Sequence, residues 1–185
     1  MTSWGRCCAA AIVVVASACA SSPKPEPAKA AAAPAAATPP ASMPPGGKEA
    51  LAVIREIQAE PLRNDDAAKA KNTVVMQWLT ESPDITVVVC AELLPLRDPA
   101  GPHDGALVIQ LMFAQAAYQL EHPGVAPKDE AVFTAGLAAA MRTYRVLLAA
   151  HPEQRYSAWD ELETAERKGA LSPHVRKALQ ACSKS

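Results

Sequence analysis

Residues 82–96, SPDITVVVCAELLPL, decide whether this chain is built from helices alone. Positions 85–89 (ITVVV) are β-branched throughout, and side chains with two heavy atoms on Cβ suit a pleated surface better than a helix. The flanks argue the other way. Ser82 can cap a helix, Pro83 fits a first helical position where its missing N–H costs nothing, and Asp84 complements the positive end of the helix dipole. A strand would also need neighbours, and no other segment reads as one. These signals predict a helix over residues 83–94, and with it an all-α fold.

The neighbouring segments carry helical periodicity. Upstream, residues 48–60 (KEALAVIREIQAE) place Leu51, Ile54 and Ile57 three apart, an amphipathic helix closed by Pro61. Asn64 reads as the N-cap of a second helix, with Asp65 and Asp66 in its first turn; it runs to about Thr80 and buries Ala67, Val74, Val75 and Trp78. Residues 98–105 (DPAGPHDG) read as a loop from their Pro and Gly content. Residues 106–121 are apolar nearly all round, with Gln110, Gln115 and Gln119 among the few polar members, so this helix is predicted to be enclosed by others. Residues 128–150 carry a stripe of Phe133, Leu137, Ala140, Met141, Tyr144 and Leu148, with Arg142 and Arg145 off it. Ser157 and Asp160 have the spacing of a capping box, opening a helix through Lys168 that Gly169 ends. Ser172-Pro173 repeats the cap-plus-proline signal for a last helix ending near Cys182. The expectation is a single all-α bundle or helical array of about seven helices over residues 48–185. Two of its helices end in His-Pro, at Pro123 and Pro152, but 29 residues apart and without the Trp and Gly-Tyr signature of a tetratricopeptide unit of about 34 residues.

Composition narrows the functions available. Aromatic residues make up only 4% of the chain, so the core must come from Ala, Leu, Val and Ile. From Lys48 onward 15 Lys and Arg stand against 18 Asp and Glu, a net of −3 with both signs interspersed. No basic stripe offers itself to phosphates, which argues against nucleic-acid binding.

The first 47 residues read as an address and a tether. Arg6 gives a basic start, and residues 9–18 (AAAIVVVASA) form an apolar stretch too short to span a hydrocarbon core of about 30 Å. That is the build of a signal peptide, residues 1–18, ending in small residues. Residues 16–19, Ala-Ser-Ala-Cys, resemble the lipobox of bacterial lipoproteins. The resemblance implies that Cys19 carries acyl chains, palmitate among them. It also implies that Ala20, rather than an aspartate, directs the protein to the outer membrane facing the periplasm. The same small residues also fit an ordinary A-x-A cleavage site, which would leave a soluble periplasmic protein. Residues 19–47 are dominated by Ala, Pro, Ser and Gly, cannot offset the entropy of ordering, and are expected to be a disordered tether reaching up to ~85 Å in polyproline II geometry.

Beyond Cys19 the domain keeps two cysteines, Cys90 and Cys182. In an oxidising compartment they are expected to form one disulfide. Known chemistries find little support. His103-Asp104 could suggest a metal-dependent phosphohydrolase, but His103 is the first histidine in the chain and that site needs one upstream. His122 and His151 precede prolines at helix ends and read as caps rather than ligands, and His174 reads as exposed. No nucleophile elbow, phosphate loop or calcium loop is present, so neither a metal nor a cofactor is expected. Gln110 and Gln115 must find hydrogen bonds if buried, within the core or around a small apolar ligand. Trp78, Trp159 and Tyr156 read as core or as interface anchors. The leading expectation is a non-enzymatic envelope lipoprotein whose helical domain binds another envelope protein. A carrier or sensor of a small apolar ligand comes second, and a hydrolase whose residues converge only in space comes third.

Overall fold

The computed structural model describes residues 46–96 and 100–183. The predicted signal peptide, Cys19, the tether up to residue 45 and the first two residues of the predicted loop at 98–105 lie outside the described residues. Among the described residues the chain is all-α. Six helices follow one another: α1 (Gly47–Ala59), α2 (Asp66–Glu81), α3 (Asp104–Glu121), α4 (Glu130–Ala150), α5 (Ser157–Arg167) and α6 (Leu171–Cys182), with 3₁₀ turns at Ala91–Leu93 and Pro152–Gln154 and no strand. A bundle or array of helices is the architecture that the periodicity predicts.

The helix predicted over residues 83–94 does not form. Residues 83–90 run without helical structure, and only Ala91–Leu93 winds into a 3₁₀ turn. The β-branched run follows its own propensity, because hydrogen-bonding partners reach it from elsewhere in the fold.

The helix α3 sits between two hydrophobic clusters. Its Leu107 and Leu111 join a core shared with Phe133, Leu137, Tyr144 and Trp159. Its Phe113, Ala116 and Ala117 face a second core made with Ile54, Val75 and Trp78. Burial on both sides is why this segment is apolar nearly all round. A short connection turns the chain back into α4, and the two helices approach closely at Gly136. A Cβ there would lie 2.9 Å from Gln115 Cγ and 3.0 Å from the Leu111 carbonyl oxygen, so only glycine fits.

Several caps differ from their predicted positions. Asp65, not Asn64, caps α2: its carboxylate accepts the Ala68 N–H at 2.8 Å and the Arg63 Nε–H at 2.7 Å. The Ala68 N–H first, and the Arg63 guanidinium second, hold the Asp65 carboxyl below the ordinary carboxylate range. The Ser157–Asp160 capping box is not made; Tyr156 occupies the N-cap of α5 and Asp160 accepts from Arg155 at 3.0 Å. Ser172 lies inside α6, where its hydroxyl donates to Glu130 at the start of α4. In both cases a partner outside the helix's own first turn wins over the local cap. Gly169, at φ 69°, ends α5 as its type predicts. Ala67 is exposed, and Leu147 rather than Leu148 is the buried member of the α4 stripe. Trp78 and Trp159 are core residues and Tyr156 is half-buried. No helix among the described residues is long and apolar enough to cross a membrane.

Candidate functional site

The segment at residues 84–90 is held against α3 by two glutamine side chains. Gln115 accepts the Val88 N–H on Oε1 and donates Nε2–H to the Val88 carbonyl, both at 3.1 Å. One turn later Gln119 repeats the pattern on Thr86, accepting at 3.4 Å and donating at 3.0 Å. A primary amide shows a donor and an acceptor side by side, which is what a strand residue needs from its neighbour. The spacing also agrees. Four residues along a helix advance about 6 Å, and two along a strand about 6.7 Å. Glutamines four apart therefore serve as two rungs of a ladder, and Leu111, one turn earlier, ends it.

The opposite edge of this segment is unpaired among the described residues. In an extended chain the N–H and C=O of alternate residues point to opposite sides, so Ile85, Val87 and Val89 direct theirs away from α3. Among the described residues none of these three groups has a hydrogen-bond partner. Ile85 is buried and Val87 half-buried, while Val89 is 51% exposed. The ladder is followed at once by Cys90, whose Cα lies 6.0 Å from that of Cys182, 92 positions away at the end of α6. The two sulfurs are at disulfide distance. Glu92 lies beside them, and Cys90, Glu92 and Cys182 bring ligand atoms within 4.8 Å of one another. Once oxidised, the two cysteines have no thiolate to give a metal.

The structure does not bring Gln110 and Gln115 to one place. Five residues apart on a helix they point about 140° away from each other. Gln110 is 2% exposed, and its side chain makes no hydrogen bond among the described residues. It lies on the border of two clefts that also share Pro61. One, of about 170 Å³, is walled by Gln58, Arg142, Thr143 and Val146. The other, of about 250 Å³, is walled by Arg63, Asn72, His103 and Ile109. Two polar atoms in these walls are buried without a partner, Gln58 Nε2 and Asn72 Oδ1. Sequence patterning did not single out Gln58 or Asn72, since a half-buried amide at the edge of an apolar stripe has no periodic signature of its own.

The histidines divide. His122 Nδ1 lies 2.9 Å from the Tyr118 carbonyl and caps the end of α3, as read from the His-Pro signal. His151 instead pairs with Glu153 at 3.4 Å and stacks on His103, ring centres 5.2 Å apart. His174 is not exposed; it is half-buried, its Nε2 out of solvent and unpartnered in the wall of a cleft of about 360 Å³ beside Glu92 and Glu161. No protein family, curated protein or solved structure matches this chain.

Proposed function

We propose that this chain is a lipid-anchored protein of the bacterial envelope whose helical domain is non-enzymatic and binds an extended segment of another envelope protein, which adds as a strand to residues 85–89. The anchor at Cys19 rests on the lipobox-like residues 16–19, and the tether on the Ala/Pro-rich composition that follows. The observation that carries the binding role is the unpaired backbone edge. Three successive outward N–H and C=O sets, in the segment of highest strand propensity, are without partners among the described residues, and the glutamine ladder holds them extended in advance. Main-chain hydrogen bonds would supply affinity, and the exposed Val89 side chain would meet a β-branched residue of the incoming strand. The Cys90–Cys182 bridge, formed outside the cytoplasm, keeps the end of the segment in register.

A photo-crosslinker at position 89 in intact cells tests this reading, run beside Val87→Pro. Proline removes an N–H that has no partner among the described residues, and it disfavours helix at Thr86, which is not helical. The expected result is a specific adduct at position 89 that Val87→Pro abolishes while the thermal midpoint holds. Should Val87→Pro unfold, Val89→Lys places a charge on the edge with little structural demand and is expected to abolish the adduct equally. An adduct of unchanged yield in both variants, no adduct, or an adduct only with a second copy of this chain overturns the assignment.

A further inference from the structure

We propose that the cleft between the end of α1, the middle of α3 and α4 is a binding site for a small organic carboxylate. This site is separate from the strand edge and does not depend on it. Its walls offer donors in excess of acceptors. Arg142 has no ion-pair partner among the described residues and reaches the cleft from α4. Gln58 is oriented by Arg55, whose Nη1–H donates to its Oε1 at 2.8 Å. An amide flip would set its NH₂ against the guanidinium, so Nε2 stays as the buried, unpartnered donor. Gln110, 2% exposed and with no side-chain hydrogen bond among the described residues, presents its amide at the same cleft. The Thr143 hydroxyl is already committed to the Ala139 carbonyl at 3.1 Å, so it does not compete. A carboxylate supplies what is missing: a negative charge for Arg142 and several lone pairs for the two amides.

The remaining walls set the rest of the ligand. Pro61 and Val146, the latter 46% exposed, line the cleft with apolar surface, which suits a short hydrocarbon chain rather than a bare inorganic anion. Its volume of about 170 Å³ is well below the roughly 300–1,000 Å³ of drug-sized sites. An acid of a few carbons fits that space. Glu60, the nearest acid beyond Ala59, has its charge answered by Arg63 at 2.9 Å.

The test is a titration of the ¹⁵N-labelled full chain with sodium butyrate, with butyramide and inorganic phosphate as parallel arms. The signals read are the side-chain amides of Gln58 and Gln110, assigned with Gln58→Leu and Gln110→Leu. Butyrate is expected to shift both saturably, butyramide and phosphate to leave them in place, and Arg142→Gln to weaken butyrate binding about tenfold or more. Arg142 is exposed and unpaired, so its replacement leaves folding intact, and the unchanged spectrum elsewhere verifies that. Absence of a saturable shift, an equal response to butyramide or phosphate, or full affinity in Arg142→Gln overturns the proposal.

Discussion

Replacing Gln115 with leucine removes both halves of one rung and strands the Val88 N–H and C=O in a half-buried segment. Each unmet backbone group costs about 1–3 kcal/mol, so Gln115→Leu is expected to lower stability by about 2–4 kcal/mol. Gln110→Leu breaks no hydrogen bond among the described residues and is expected to fall within about 1 kcal/mol of the parent. Urea unfolding of the two variants side by side checks this contrast, and equal losses would show that the rung contributes nothing particular. The pair also shows the reach of sequence reading. That both glutamines must be buried follows from their place on an apolar helix. Which of them bonds to backbone depends on residues 27 positions upstream, and no local pattern records that.

The α3–α4 pair depends on a missing side chain. Alanine is the better helix former by about 1 kcal/mol, so an isolated α4 would gain from Gly136→Ala. In the folded protein the added methyl would meet Gln115 Cγ at 2.9 Å and the Leu111 carbonyl at 3.0 Å, contacts too close to keep. Overpacking of this kind costs about 1–3 kcal/mol and outweighs the propensity. Gly136→Ala is therefore expected to lower the thermal midpoint and, by displacing Gln115, to speed hydrogen exchange at the Val88 amide. A raised midpoint with unchanged exchange would refute the close approach. The helix itself is legible from Phe133, Leu137, Ala140, Met141 and Tyr144; the demand for glycine on it is not, because a neighbour's backbone imposes it.

The Cys90–Cys182 contact ties the middle of the domain to its end. If the bridge forms, it closes a loop of 92 positions. On the chain-entropy account such a loop adds up to ~4.6 kcal/mol by restricting the unfolded state. Reduction is expected to lower stability against urea by up to that amount, by less where the reduced unfolded chain keeps structure, and Cys182→Ser should reproduce the loss without reductant. Alkylation of both cysteines in oxidised, folded protein would show instead that they are free thiols. Expectation of the pairing needs only a count of two cysteines in a domain read as exported. Their proximity required the fold, since Cys90 follows the ladder and Cys182 closes α6.

Helical segments, their apolar stripes and the enclosure of α3 could be read in one dimension, because a 3.6-residue period relates side chains only a turn apart. The fate of residues 82–96 could not. Two plausible local signals conflicted there, a cap at Ser82-Pro83-Asp84 and a β-branched run after it, and a distant pair of amides settled the conflict by supplying the partners that an isolated strand lacks. The caps at Ser157 and Ser172 lost to other partners: Arg155, just ahead of α5, takes Asp160, and Glu130, brought near by folding, takes the Ser172 hydroxyl. Periodicity is a property of neighbours in the chain, whereas the choice of a hydrogen-bond partner belongs to neighbours in space.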